Sequence, residues 1–414
     1  MPIWRIFYMH YVHRLLEENI TNTLLRGKSI LLLGPRQTGK TTLINRIPAE
    51  KRFTLANPQD RLRYEKEPFL LTAEIEAIAR KTKQNLPLII IDEIQKIPML
   101  MDAIQDLIDR RIAKFILTGS SARKLRRSGD VNLLPGRVVP LRLDPFTLKE
   151  LAHENHALNT LLLDGTLPEI ILQKSANERE SLLEAYVTIY LEEEIRAEAI
   201  VRDLGHFARF LELAASQSGQ IVNFSKLSQE IGITHGTIAS YYQILEDCLV
   251  AERIEPITVS KTRRKLSKTQ KYLLYDLGVR RVASREGRQL SREQMGNLLE
   301  QYIGLELIRM IRLSQQRISL KYWRDPSGPE VDWVIESNKN YIPIEVKWTE
   351  MPSRQDAKHL QIFLEEYPQA KKGFIICRTP HVMKISDNID ALPWHSLAEI
   401  FDEQLDRNAD LSSL

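Results

Sequence analysis

Residues 29–43, SILLLGPRQTGKTTL, constrain this chain more than any other stretch. The apolar run Ile30 to Leu33 reads as a strand buried on both faces, as strands of a parallel sheet are. The next eight residues are Gly34, Pro35, Arg36, Gln37, Thr38, Gly39, Lys40 and Thr41. They match G-x-x-x-x-G-K-[ST] position for position. Glycines let such a loop wrap tightly round phosphate with its backbone N–H groups pointing inward. Lys40 brings a point charge to the outer phosphates, and the Thr41 hydroxyl is placed to hold Mg²⁺. A helix is expected over 41–47, with Thr42 in its first turn and its N-terminus toward the anion. A plain glycine turn before a helix would have no use for Lys-Thr at this place. The expected ligands are ATP and Mg²⁺.

A helix is expected over 11–26, a strand over 52–56 and charged helical sequence over 59–84. LPLIIIDEI, 86–94, is then a continuous apolar run ending in Asp92 and Glu93. A buried strand of this kind delivers two carboxylates to the C-terminal edge of the sheet, beside the phosphate loop. Asp92 is assigned to Mg²⁺ through water. Glu93 is assigned to the attacking water, as the group that orients or deprotonates it. AKFILTGSS, 113–121, reads as the next strand. Thr118 or Ser120 at its end could touch the γ-phosphate or its water, although hydroxyls there are also ordinary turn formers. A basic loop, 123–137, ends in Gly136 and Arg137 before a fifth strand, VVPLRL. Arg137 is a candidate finger for phosphate in its own or a neighbouring subunit. A solvated loop charge or a nucleic-acid contact is the competing reading.

Five such strands make an α/β P-loop domain. GPRQTGKTTL, LIIIDEIQKIP, FILTGSSARKL and LPGRVVPLRLDPFTLKEL resemble the AAA+-type P-loop ATPases of bacteria and archaea that carry a C-terminal domain of unknown function. The resemblance covers residues 1–150. It implies ATP hydrolysis and says little about substrate.

The remaining 260-odd residues hold ordinary apolar content, enough for further cores. The formal charge is only +4, so contact with DNA or RNA would need a local patch. Cys248 and Cys377 show no metal or redox spacing, which suits free thiols in a reducing compartment. No apolar run approaches the length of a membrane span, so a cytoplasmic protein with no membrane partner is expected. Residues 147–215 are helical in pattern. The cluster Glu192, Glu193, Glu194 reads as a solvated helix face, because consecutive acids point in different directions. Residues 219–258 read as helix, turn at 231–233, helix, with Leu227, Ile231, Ile238, Leu245 and Leu249 inward, as in a winged helix. The second helix, 235–247, contains no Lys or Arg and is a poor groove reader. The cations lie in KTRRKLSKTQK, 261–271, a candidate β-wing, with Arg263, Arg264, Lys265 and Lys268 as nucleic-acid contacts.

From 293 onward the order is helix, three strands, helix, strand: MGNLLEQYIGLELIRMIRL, LKYWRD, EVDWVIE, YIPIEVKW and, after a helix, GFIICR. This resembles the core of PD-(D/E)xK nucleases. Asp332 lies on the second strand. Glu345 and Lys347, two apart on the third, share a face. Two carboxylates and a lysine suit Mg²⁺-assisted phosphodiester cleavage, with Glu300 as a third carboxylate from the helix.

The expected architecture is α/β: an AAA+-like domain at 1–150, a helical segment at 151–215, a winged-helix-like domain at 216–280 and a restriction-endonuclease-like domain at 281–414. The expected function is ATP binding and hydrolysis with action on, or binding to, DNA or RNA. The alternative is a nucleotide-dependent switch or assembly module. Its nuclease-like domain would be inactive and would bind a protein partner or a further copy of the chain.

Overall fold

A computed structural model describes residues 11–82, 86–121, 134–191, 204–258, 269–325, 328–338 and 340–401. The chain forms two compact units with their boundary between His156 and Ala157.

The first unit is an α/β sandwich. Its elements are α1 (Leu16–Leu25), β1 (Ser29–Leu33), α2 (Lys40–Ile44), β2 (Lys51–Thr54), α3 (Pro58–Lys66), α4 (Phe69–Lys81), β3 (Leu88–Asp92), α5 (Leu100–Asp109), β4 (Lys114–Gly119) and β5 (Val138–Arg142). The sheet is parallel throughout, in the order β2-β3-β4-β1-β5. Ile30, Ile89, Ile90, Ile116 and Leu117 have no exposed surface, as strands covered on both faces require. On α5 the buried residues Leu100, Met101, Ile104 and Leu107 recur at helical spacing. The strand order matters for function. β4 lies between the strand that ends in the phosphate loop and the strand that ends in Asp92, so its C-terminal residues face both.

The expected helix over 41–47 is regular only over Lys40–Ile44. Pro48 disfavours the helical region for Ile47, which limits the run. The helical sequence 59–84 divides into α3 and α4 near Pro68, for the same reason.

The second unit begins with α6 (Leu158–Asp164), α7 (Pro168–Ile171), α8 (Ala176–Ala185) and α9 (Leu204–Ser216). Next come α10 (Phe224–Ile231), α11 (His235–Asp247), β6 (Ala251–Pro256) and β7 (Lys271–Leu274). Asn223 caps α10 and Thr234 caps α11, each accepting a backbone N–H. Gly232, with φ +81°, closes α10 in the left-handed conformation that a turn between helices needs. Leu227, Ile231, Ile238, Leu245 and Leu249 are all buried. Helices α10 and α11 give the helix, turn and helix expected of 219–258, and the antiparallel pair β6–β7 follows them. Residues 259–268, which hold Arg263, Arg264, Lys265 and Lys268, lie outside the described residues, as do Glu192 to Glu194.

The chain continues through α12 (Leu277–Ala283), α13 (Arg292–Ser314), β8 (Ile318–Arg324), β9 (Glu330–Ser337), β10 (Asn340–Val346), α14 (Lys358–Glu366), β11 (Gly373–Cys377), β12 (Met383–Ser386) and β13 (Ile389–Pro393). One eight-stranded sheet runs β12-β13-β11-β10-β9-β8-β6-β7. β6 pairs with β7 on one side and with β8 on the other. The strands after α11 and the C-terminal strands therefore share a single sheet.

Candidate functional sites

The phosphate loop of the first unit is shaped by steric need. A Cβ at Gly34 would lie 2.3 Å from the Leu143 carbonyl oxygen, so only glycine lets β1 leave the sheet there. Gly39 has φ +90°, a region that glycine enters freely. Gln37 also has positive φ, 63°. Thr38 is fully buried and turns its hydroxyl onto the Pro35 carbonyl at 3.0 Å. Lys40 Nζ donates to the carbonyls of Gly34 and Pro35, both at 2.8 Å. The loop thus holds its ammonium over its own mouth, where phosphate oxygens can take the place of carbonyl oxygens. Pro35, Arg36 and Thr42 flank that mouth in sequence.

β3 and β4 bring the acids to the same edge. Thr41 Oγ1 donates to Asp92 Oδ2 at 3.0 Å. Thr118 donates to Asp92 Oδ1 and accepts the Glu93 backbone N–H, the latter at 3.1 Å. Ser120 meets Gln95 instead, whose Nε2 donates to Ser120 Oγ at 3.2 Å and to Glu93 Oε2 at 2.6 Å. Of the two hydroxyls at the end of β4, Thr118 is the one bonded to Asp92. Glu93 sits at φ 62°, so the backbone turns sharply after β3 and carries its carboxylate away from the strand line.

Arg137 is not brought to this edge. Val138 pairs with Ser29, at the start of β1. Arg137 therefore stands at the opposite end of the strands from the phosphate loop, roughly 15 Å away along β1. It donates through Nε and Nη2 to both carboxylate oxygens of Asp109, at 2.6 and 2.9 Å. The pairing raises the Arg137 guanidinium and lowers Asp109. The assignment of Arg137 to the phosphate of its own subunit is corrected by this placement. A basic loop before a strand was legible in sequence; which end of a parallel strand it met was not.

Two residues of this site were missed from sequence. Arg14 is buried (4% exposed) and donates from Nη1 to the Thr38 carbonyl at 2.7 Å, from Nη2 to the Asp144 carbonyl at 2.7 Å, and from Nε to Glu150 at 3.0 Å. It braces the phosphate loop from behind. Gln95, in the phrase DEIQ, ties Glu93 to β4. A polar residue so deep in an apolar stretch is the signal that would have found it.

In the second unit the register of β9 and β10 pairs Ile344 with Trp333. One further step sets Glu345 opposite Asp332 on the same face. Asp332 Oδ2 accepts the Val346 backbone N–H at 2.8 Å, and Glu345 Oε1 meets Lys347 Nζ at 2.7 Å. Glu345 Oε2 is buried with no partner. Both acids are enclosed, at 8% and 2% exposed, rather than lying on an open strand face. α13 packs on the other face of β9, the side that Trp333 takes. A Cβ at Gly304 would meet the Trp333 indole at 2.6 Å, so glycine permits the close approach. Trp333 Nε1 donates to the Glu300 carbonyl at 3.0 Å.

Glu300 does not join the other acids as a shared metal set. Its Oε1 meets Lys271 Nζ at 3.2 Å. Among the described residues no group of three carboxylates, histidines or cysteines is placed to hold one metal ion. The three-carboxylate set expected of Glu300, Asp332 and Glu345 is corrected to a facing pair, with Glu300 drawn to a lysine. Lys271 had been counted with the basic wing. Burial, reinforced by the Asp332 charge and opposed by Lys271, pushes Glu300 up to about 7. Burial also raises Asp332 against the pull of Lys271 and Lys347. Burial and Asp332 together raise Glu345 well above the usual carboxylate range. Lys271 and Lys347 are both raised, since the neighbouring carboxylates outweigh the burial of their ammonium groups.

Comparison with known proteins divides the chain into three matched regions. Residues 26–152 match a family described as an AAA domain. Residues 155–290 and 295–397 match two families described as domains of unknown function, DUF8612 and DUF4143. An uncharacterized protein of Mycobacterium tuberculosis is 26% identical over 400 residues, 95% of this chain and 86% of the relative. One from Methanocaldococcus jannaschii is 24% identical over 433 residues, covering 92% of this chain and 87% of the relative. Among solved structures, Cdc6p from Pyrobaculum aerophilum aligns at 14% identity with a TM-score of 0.26, over 66% of this chain and 96% of that one. No helix among the described residues is long and apolar enough to cross a membrane.

Proposed function

We propose that this chain is a P-loop AAA+ ATPase that couples ATP hydrolysis to the handling of nucleic acid by its second unit, a reading that the match of residues 26–152 to an AAA domain supports. The observation that carries the ATPase chemistry is the chain of hydrogen bonds from Thr41 through Asp92 to Thr118, closing on the Glu93 backbone beside the phosphate loop. Thr41 and Asp92 would hold Mg²⁺, since Thr41 Oγ1 lies 3.0 Å from Asp92 Oδ2 at the edge where the phosphate loop ends β1. When bound, Mg²⁺ neutralises charge that develops on the phosphates. Lys40 leaves its own carbonyls for the outer phosphates. Glu93 orients and deprotonates the attacking water, and Gln95 holds that carboxylate in place. An arginine for the γ-phosphate is not supplied by Arg137 in cis, so Arg137 acts there only from a neighbouring subunit of a homo-oligomer.

For the second unit, the order of elements and the facing pair Asp332 and Glu345 with Lys347 support a restriction-endonuclease-like site. The helices α9 to α11 with β6 and β7 support a winged-helix-like partner surface. α11 carries no cation and spends its inner face on packing. Tyr242 stacks between Phe224 and Tyr272, with ring centroids 5.4 and 4.1 Å away. DNA or RNA contact is therefore assigned to the basic segment that holds Arg263, Arg264, Lys265 and Lys268. A second reading, a nucleotide-dependent switch whose C-terminal domain only binds, draws support from how little of Asp332 and Glu345 reaches the surface.

The test is ATP turnover with and without DNA or RNA, with the polymer followed on a gel in Mg²⁺ or Mn²⁺. Lys40→Ala is expected to abolish turnover; unchanged turnover would overthrow the assignment of the phosphate loop. Asp332→Ala is expected to remove cleavage and spare turnover. Intact polymer in the parent protein, with turnover indifferent to nucleic acid, would favour the switch.

A further inference from the structure

The carboxylate cluster of the second unit contains a cation that no E-x-K pattern supplies. Lys271 opens β7 and is 7% exposed. Its ammonium lies 3.2 Å from Glu300 Oε1, with the rings of Tyr322 and Trp333 centred 5.1 and 5.2 Å away. A cation fixed by one carboxylate and two aromatic faces is held firmly. β7 itself is pinned, since Lys271 pairs with Ile254 on β6. Across the cluster the situation is reversed. Glu345 Oε2 is buried and has no hydrogen-bond donor, although its sister oxygen is taken by Lys347. A buried carboxylate oxygen left in that state marks a place for a cation.

We propose that Lys271 is the built-in cation on the Glu300 side of this cluster, so that Asp332 and Glu345 form a site for one divalent metal ion and not two. The proposal rests on the nuclease-like reading of the second unit. Charge supports it. With every group ionised, Glu300, Asp332, Glu345 and the neighbouring Glu330 against the ammonium groups of Lys271 and Lys347 leave two net negative charges. One divalent ion neutralises them, and a second would leave the buried site positive. Geometry supports it as well. Glu300, the acid that a second ion would need, is already bonded to Lys271, and no three acids of the described residues converge on one point. Lys271 is therefore a positioning residue, acting on the metal site through Glu300.

The experiment counts Mn²⁺ bound to the nucleotide-free full chain by electron paramagnetic resonance. All proteins carry Asp92→Ala and are free of nucleotide, so that the carboxylate assigned to Mg²⁺ in the first unit is absent from the count. The parent is expected to bind one ion per chain, and Glu345→Gln to bind none. Lys271→Met frees Glu300 and is expected to bind two; Lys271→Arg keeps the positive charge and is expected to bind one. Two ions in the parent, or one in a folded Lys271→Met protein, would overturn the proposal while leaving the metal-site reading intact. Should Lys271→Met fail to fold, the pair Lys271→Met with Glu300→Gln removes both charges and is expected to bind one ion; none would overturn the proposal. A parent that binds no ion would overturn the nuclease-like reading itself.

Discussion

Arg14 shows how much one side chain can decide. It lies just before α1, in sequence that reads as the start of an amphipathic helix, where an arginine is normally solvated. Here its guanidinium is enclosed by Glu150, the Thr38 and Asp144 carbonyls and the Phe146 ring, 4.8 Å from the ring centroid. Glu150 in turn accepts from the backbone N–H groups of Leu15 and Thr147, both at 2.8 Å. Removing the cation leaves a buried carboxylate with only those two donors, a loss of about 3–5 kcal/mol. Arg14→Ala is expected to lower the melting temperature and weaken binding of a fluorescent ATP analogue, because the back of the phosphate loop loses its brace. Arg14→Lys keeps charge but reaches fewer of the three acceptors, so it should fall between. Binding equal to the parent's in a folded Arg14→Ala protein would show that the loop needs no brace.

At the level of elements, close packing of helix on sheet sets the second site. α13 is long and well capped, with Ser291 and Gln294 forming reciprocal bonds at its start. It lies against β9 through Gly304 and the Trp333 indole, and that contact places Glu300 beside Lys271. Gly304→Ala forces either the indole or the helix to move. The expected cost is about 1–3 kcal/mol, as for other overpacked cores. It would appear as a lower urea midpoint with a changed tryptophan emission. An unchanged midpoint and spectrum would mean that α13 has room to spare. The order of α13, β8 to β10, α14 and β11 along the chain, and the alternation of β10, were legible from sequence. That Asp332 and Glu345 would be enclosed was not, because coverage depends on which distant segments fold back over a strand.

On the scale of the whole molecule, the chain divides into two compact units, so a single two-state transition is not expected to describe unfolding. A ligand at 100 times its dissociation constant stabilises the state it binds by about 2.7 kcal/mol. A non-hydrolysable ATP analogue with Mg²⁺ should therefore raise the transition of the unit that holds Lys40, and EDTA should withdraw most of that gain. Lys40→Ala should show neither effect. If the analogue raised every transition equally in a calorimetric scan, the two units would be unfolding together.

The sequence by itself determined the phosphate loop, the strand that ends in Asp92 and Glu93, and the order of elements around Asp332, Glu345 and Lys347. These are local signals, since loop chemistry needs contiguous glycines and a buried strand needs an unbroken apolar run. Only the tertiary structure decided that Arg137 stands at the far end of the sheet, that Arg14 lies behind the phosphate loop and that Lys271 belongs with Glu300. Each of those depends on where a residue distant in sequence comes to rest. A charged side chain carries no mark in sequence to say whether the chain will leave it in water or bury it against an opposite charge.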